Sequence, residues 1–148
     1  MPAAQIAALN DAFSEMGVWA APGGVREEAS IYLDCSIEGD VSITGTSATS
    51  ADSTAYTFEI SANQCLISGG GVAFAIDGSV SGEGYYTAAD DALAGSYWAR
   101  GTLDWWIGDR TGACIVSVDV ETVQSLTDQA SSSGSVQGTL CGYPVGNP

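Results

Sequence analysis

The chain contains no histidine and no lysine, and its 148 residues include three arginines against 18 Asp and Glu, for a formal net charge of −15. Without histidine there is no Ser-His-Asp or Cys-His catalysis, no imidazole metal ligand and no histidine general base. Three arginines cannot neutralise the phosphates along a nucleic-acid interface, and the negative field repels DNA, RNA and anionic lipid. We therefore expect no nucleic-acid partner and no histidine-dependent enzyme.

Several chemistry-bearing segments are also missing. The chain has no G-x-S-x-G element, and Gly69-Gly70-Gly71 is not followed by the Lys-Ser/Thr of a phosphate-binding loop. No stretch approaches the ~20 apolar residues of a transmembrane helix, and the N-terminus lacks the basic start and apolar run of a signal peptide. We expect no transmembrane segment, and we expect that an exported form has already lost its signal peptide.

The four cysteines are spread along the chain, and none belongs to a CxxC pair. An even number at wide spacing favours two disulfides over a zinc site. Three pairings are open, and we favour Cys35–Cys65 with Cys114–Cys141 because each closes a local loop. Disulfides form in oxidising compartments, so this pattern predicts a secreted, periplasmic or cell-surface protein.

The length and the 45% hydrophobic content predict a single folded domain with its own core. We divide residues 1–148 into a helix at 3–16, a linker at 17–29, an antiparallel β domain at 30–142 and a tail at 143–148. In the first segment Ile6, Leu9, Phe13 and Met16 recur at helical spacing, which predicts one amphipathic helix. Gly17 is a suitable residue to end it.

The rest of the chain alternates apolar and polar residues with the period of a β-strand. Cys114, Val116, Val118 and Val120 share one face, for example, and strands with one polar face are typical of antiparallel sheets. The strand candidates are Ser30–Ile37, Asp40–Ser47, Thr54–Ala62, Gln64–Ser68, Gly71–Val80, Gly84–Ala88, Gly95–Ile107, Gly112–Val123 and Ser135–Cys141.

A loose pattern of an apolar residue, any residue, glycine and Ser or Thr recurs at Gly45, Gly78, Gly101 and Gly138. Glycine inside a strand usually marks a bulge, a bend or a close approach of backbones. We therefore predict a mainly β fold, a strongly bent antiparallel meander sheet that is sandwich-like or barrel-like, with one N-terminal amphipathic helix.

In the segment from Tyr97 to Ile107 we assign the odd-numbered residues to the core. A four-residue loop at 108–111 then joins this strand to the next with both apolar faces inward. This register places Trp105 opposite Cys114, and a shift by two residues would keep the same faces inward.

Aromatic residues mark the candidate binding surface. Trp98 and Trp106 are predicted to project away from the core, ~26 Å apart at ~3.3 Å per residue. Aromatic rings on a polar sheet face are typical of a protein or carbohydrate platform, whereas a second layer covering that face would make them core residues. The candidate ligand-binding residues are Trp98, Trp106, Tyr85, Tyr86, Arg100 and Asp104.

Carboxylates are the only abundant ionisable groups, and they suggest two further hypotheses. Asp90 and Asp91 are the best candidate pair for Ca²⁺, which binds oxygen ligands, although no EF-hand loop is present. Asp104 stands beside two tryptophans, as a glycosidase carboxylate would, but a second acid at the required separation cannot be identified from the sequence. No other cofactor is expected.

These features favour a non-enzymatic secreted or cell-envelope β-protein that acts as a structural or assembly subunit or as a binding module. Its expected partner is another copy of itself or another extracellular protein. The alternatives are binding of carbohydrate or of a small apolar ligand, through the aromatic face or an interior pocket, and carboxylate-dependent glycoside hydrolysis.

Overall fold

A computed structural model describes residues 1–19, 30–50, 53–69, 71–89, 92–125 and 132–146. Within these ranges one helix is followed by eight strands. The elements are α1 (Ala3–Met16), β1 (Ser30–Asp34), β2 (Glu38–Ser50), β3 (Ser53–Gly69), β4 (Val72–Ala89), β5 (Ala92–Ile107), β6 (Arg110–Ser125), β7 (Ser132–Leu140) and β8 (Tyr143–Gly146).

The strands form one meander sheet in the order β1 to β8, and every neighbouring pair is antiparallel. The predicted mainly β fold with one N-terminal helix is therefore confirmed. The sheet is open rather than closed into a barrel, so β1 and β8 are its edge strands among the described residues.

Helix α1 has the predicted bounds and covers one side of the sheet, which we call the inner face. Gly17 adopts a left-handed conformation, and the amides of Gly17 and Val18 donate to the carbonyls of Ser14 and Phe13. This pair of bonds is the Schellman motif, which satisfies the carbonyls at a helix end. Val18, within the predicted linker at 17–29, is fully buried, so the chain is still packed at that point.

The inner face and α1 share one hydrophobic core. Ile6, Leu9 and Phe13 are buried against it, as the helical spacing predicts. The buried sheet residues follow the period-two pattern on every long strand; they include Val41, Ile43, Phe58, Ile60, Phe74, Ile76, Leu103, Trp105, Cys114, Val116, Val118 and Leu140. Along β5 the odd-numbered residues point inward and the even-numbered ones outward, as predicted.

Two long strands replace pairs of shorter predicted ones. The polar segment around Gly82 resembles a turn in sequence, but β4 runs straight through it. A Cβ at Gly82 would overlap the carbonyl of Trp98, so glycine is needed here for close strand approach and not for a turn. The predicted break at Asn63 is part of a bulge inside β3 that also includes Gln64. Residues Tyr143–Gly146 of the predicted tail pair with β7.

The predicted register between β5 and β6 is wrong by two residues. Trp105 lies opposite Gly112, and Leu103 lies opposite Cys114. The turn contains only Gly108 and Asp109, with φ positive at Gly108 alone, which is the type II′ pattern favoured in tight hairpins. Period-two alternation cannot distinguish registers that differ by two residues, because both keep the same faces inward.

Both predicted disulfides are present, Cys35–Cys65 and Cys114–Cys141, and no described cysteine is free. The first joins the chain just after β1 to the bulge in β3. The second joins β6 to the residue after β7. Each disulfide therefore ties an end of the sheet to a long central strand.

Candidate functional site

The outer face of the sheet, opposite α1, carries exposed aromatic rings. Trp98 and Trp106 are 39% and 40% exposed, and Tyr85 is exposed as well. The two tryptophans are therefore surface residues rather than core residues covered by a second layer. The predicted binding residues do not form one platform, however, because Trp106 and Trp98 line different cavities.

The first cavity, of about 560 Å³, is built around Trp106. Two irregularities in neighbouring strands shape it. The register between β2 and β3 shifts at Glu38/Asp40, and that between β3 and β4 shifts between Ala62 and Cys65. Such bulges redirect side chains and are common beside functional sites. We call this the Trp106 cavity; it is lined by Glu38, Gly39, Asn63, Gln64, Leu66, Ala75, Asp77 and Trp106.

The backbone of the two bulges interlocks. Gly39 has φ +79°, and a Cβ at this position would overlap the carbonyl of Gln64. Gln64 itself has φ +48°, a conformation that residues other than glycine seldom adopt. Its amide N–H donates to Asp77 Oδ2 at 2.9 Å. The amide of Ile37 donates to the Leu66 carbonyl at 3.1 Å, and the Cys35–Cys65 disulfide lies directly beside these contacts.

Polar side chains at the rim are held by their neighbours. The Asn63 side-chain amide donates to Asp40 Oδ1 at 2.6 Å and to Ser42 Oγ at 3.3 Å. Asn63 and Gln64 are not predicted as site residues, because the sequence pattern makes Asn63 a break between two strands and Gln64 the first residue of the second strand. The available signal was the break itself, since two polar amides interrupt an otherwise regular alternation.

Asp104 lies beside the Trp106 cavity without lining it. Its partner on β4 is Asp77, so two carboxylates stand directly opposite each other across adjacent strands. Like charges in this arrangement repel each other, and a structure built only for stability tends to avoid it. Asp77 is therefore the carboxylate that the fold places directly opposite Asp104.

The second depression, of about 700 Å³, contains Trp98 and Tyr85 together with the carboxylates of Glu83, Asp119 and Glu121. Two smaller depressions adjoin it, one sharing Trp98 and one sharing Tyr85. We call these three depressions together the Trp98 groove. This groove, rather than the Trp106 cavity, unites two of the predicted binding aromatics.

Arg100 already has partners beside the Trp98 groove. Its guanidinium donates to the Val118 carbonyl at 2.8 Å and to the Ala99 carbonyl at 3.0 Å. It also lies 3.5 Å from Asp119 and 5.4 Å from the centroid of the Trp98 ring. Arg100 therefore contacts both Trp98 and Asp119, and direct contact of its guanidinium with a ligand stays a prediction.

Tyr86 lies on the inner face, on the opposite side of the sheet from Tyr85 and Trp98. Its ring centroid is 5.9 Å from that of Tyr56. Burial, with a further contribution from Tyr86, raises the pKa of Tyr56 to about 12. Tyr97 is also buried, its hydroxyl donates to the Trp19 carbonyl, and burial raises its pKa well above the ordinary value. These phenols are structural groups of the core.

The predicted calcium pair, Asp90 and Asp91, lies outside the described residues. Within the described ranges no group of three or more Asp, Glu or Cys side chains is placed to hold a metal ion. In the same ranges α1 is too short and too polar to cross a membrane.

Comparison with protein-family models, with curated proteins and with solved structures gave no significant match.

Proposed function

We propose that this protein is a non-enzymatic, exported binding module that holds a carbohydrate at the Trp106 cavity. The observation that carries the proposal is an exposed indole ring beside fixed amide and carboxylate groups in a concave site. The C–H face of a sugar ring packs on an aromatic surface, and its hydroxyls need donors and acceptors at the edge of that surface. A concave site that combines an aromatic surface with convergent polar groups meets both needs.

The rigidity of the cavity supports this proposal. The interlocked bulges, the Gln64–Asp77 hydrogen bond and the adjacent Cys35–Cys65 disulfide hold the lining in place before any ligand arrives. A ligand that binds a preformed site does not have to offset the entropy of ordering it. A preformed site matters most for uncharged ligands such as neutral sugars, because electrostatic attraction contributes little to their binding energy.

The two disulfides support export as part of the proposal, since reducing cytosol does not favour stable disulfides. Intact mass with and without reductant, measured on protein taken from its native host, tests this point. A fully reduced native protein would contradict export.

The proposal is tested by titrating the protein with linear neutral oligosaccharides, namely β-glucan, xylan, mannan and chitin fragments, while following tryptophan fluorescence and calorimetric heat. Trp106→Ala is expected to abolish saturable binding. Trp98→Ala is the matched control, because the two rings lie on the same strand and face with nearly equal exposure.

Retained binding in Trp106→Ala, or loss in Trp98→Ala alone, would contradict the assignment of this cavity. A lack of binding to every member of the panel would count against carbohydrate as the ligand.

One observation favours a second candidate, glycoside hydrolysis. Cross-strand neighbours have Cβ atoms about 4.5–5.5 Å apart. Retaining glycosidases hold two carboxyls at about 5–5.5 Å. Because Asp77 and Asp104 are cross-strand neighbours, their carboxyl groups can approach this separation. Prolonged incubation with the bound oligosaccharide, followed by detection of new reducing ends, tests it. Hydrolysis that disappears in Asp104→Asn would establish this activity, and intact oligosaccharide would leave binding as the function.

Assembly of copies into a larger structure is the other prediction made from the sequence. The edge strands β1 and β8 have only five and four residues. Short edge strands are one way in which natural proteins limit pairing between sheets. The short β1 and β8 favour a binding module over a subunit that assembles through these two strands, and light scattering at high concentration distinguishes the two.

A further inference from the structure

The Trp98 groove has a regular form along the strands. Its three depressions have volumes of about 360, 700 and 300 Å³. Trp98 separates the first from the second, and Tyr85 separates the second from the third. On β4 the outward residues along the groove are Ser81, Glu83, Tyr85 and Thr87, one every second position.

This repeat gives the groove a characteristic length and period. Alternate residues of a strand are roughly 6.6 Å apart, so the groove from Ser81 to Thr87 is roughly 20 Å long. An extended polypeptide has the same period in its own side chains. A peptide lying parallel to the strands could therefore place one alternate side chain in each depression.

The groove is strongly acidic. Glu59 lines the first depression, Glu83, Asp119 and Glu121 line the second, and Glu121 also lines the third. Within the described residues the one ion pair joins Arg100 to Asp119, so Arg100 does not neutralise the glutamates. The groove therefore presents carboxylates beside exposed aromatic rings along its length.

The residues beneath the groove are tightly packed. Beneath it the rings of Phe58 and Tyr97 meet edge to face with centroids 5.0 Å apart, and the Tyr97 hydroxyl donates to the Trp19 carbonyl. Gly82 and Gly84 lie against Trp98 and Tyr97, where a Cβ would clash. A ligand in the groove consequently meets a surface that does not need to rearrange.

We propose that the Trp98 groove binds an extended basic segment of another protein, one with Lys or Arg at alternate positions. Cations stack on the faces of Trp and Tyr rings, and charge-assisted hydrogen bonds to the nearby carboxylates strengthen their binding. A second copy of this chain is a poor occupant because it has no lysine and only three arginines. β3 to β6 are each paired on both sides along the groove, so a peptide lying over these strands is recognised through side chains and not by strand addition.

The inference concerns a different cavity from the proposed carbohydrate site and does not depend on it. Trp106 lines none of the three depressions, and Trp98 and Tyr85 do not line the Trp106 cavity. Failure of one proposal therefore leaves the other standing.

The test uses a seven-residue peptide with Lys at positions 1, 3, 5 and 7 and Ser between them, titrated by calorimetry at physiological ionic strength. Because a chain of net charge −15 attracts any cation, the variants must be matched in charge. Glu83→Gln with Glu121→Gln removes two groove carboxylates. Asp34→Asn with Asp109→Asn removes two exposed carboxylates elsewhere, so both variants have the same net charge.

We expect the groove variant to bind the peptide about tenfold more weakly, because two exposed ion pairs are lost. The affinity of the control variant should change by less than about twofold. Trp98→Ala is expected to weaken binding as well. A peptide of equal charge with its four lysines in one block should bind more weakly than the alternating peptide.

Equal losses in the two charge-matched variants would overturn the proposal, because binding would then follow net charge alone. Equal affinity for the blocked and alternating peptides, or absence of binding, would overturn it too. Binding of glucosamine oligomers with no binding of the peptide would also overturn it and would assign the groove to a cationic polysaccharide.

Discussion

Removing either disulfide should cost the same stability but have different effects on the Trp106 cavity. The cysteines of each pair are 30 and 27 residues apart in sequence. Loop-closure entropy then gives about 3.6 kcal/mol for each of the two disulfides. A loss of this size lowers Tm by roughly 7–14 °C in a domain of this length.

The functional effect should differ because only one disulfide adjoins the site. Cys65 lies between Gln64 and Leu66, which both line the Trp106 cavity, whereas neither cysteine of the second pair lines it. Replacing Cys35 and Cys65 with alanine should loosen the bulges and weaken oligosaccharide binding. Replacing the other pair should leave binding intact.

The assay combines urea unfolding, which measures stability, with the fluorescence titration, which measures binding at a temperature where both variants are folded. Each double variant is the control for the other. Equal binding by the two variants would refute the claim that the Cys35–Cys65 disulfide holds the cavity. Unequal loss of stability would refute the loop-closure estimate.

Two further predictions concern the core. Gly112→Ala would place a Cβ 2.6 Å from the Trp105 ring, so urea unfolding should show a loss of about 1–3 kcal/mol, whereas Gly134→Ala, with nothing closer than 3.4 Å, should be nearly neutral. Equal losses of stability in the two variants would show that the Trp105 ring can move aside to make room for the added Cβ. The raised pKa values of Tyr56 and Tyr97 keep both phenols protonated in the folded chain, while the unfolded chain ionises near pH 10. Stability should therefore fall as pH rises above 10, by ~1.4 kcal/mol per pH unit for each tyrosine, and Tyr97→Phe should flatten this slope in urea titrations at pH 9 to 11. An unchanged slope would contradict the assignment.

Residue patterns were sufficient to predict the fold class, the helix bounds and the disulfides. The helix is specified locally, by apolar residues at helical spacing and by a glycine that forms a Schellman end. The inward residues of β5 follow from alternation because each neighbour lies on the opposite face. The disulfide pairing follows from the preference for closing short loops.

The register and the bulges could not be predicted in the same way. A slip of two residues leaves the inward set unchanged, so the pairing of Trp105 depends on a two-residue turn that the composition of the loop does not specify. The Asn63-Gln64 bulge depends on contacts with Gly39 and Asp77, which are distant in sequence. For the same reason the separation of Trp98 and Trp106 into two sites became visible only in the folded sheet.

The most direct test of the central claim is an NMR titration with the best-binding oligosaccharide of the neutral panel, following side-chain N–H signals. We predict saturable shifts of the Trp106 indole N–H and of the side-chain amides of Asn63 and Gln64, while the Trp98 indole N–H stays in place. Shifts of Trp98 with an unchanged Trp106 would contradict a carbohydrate site at the Trp106 cavity.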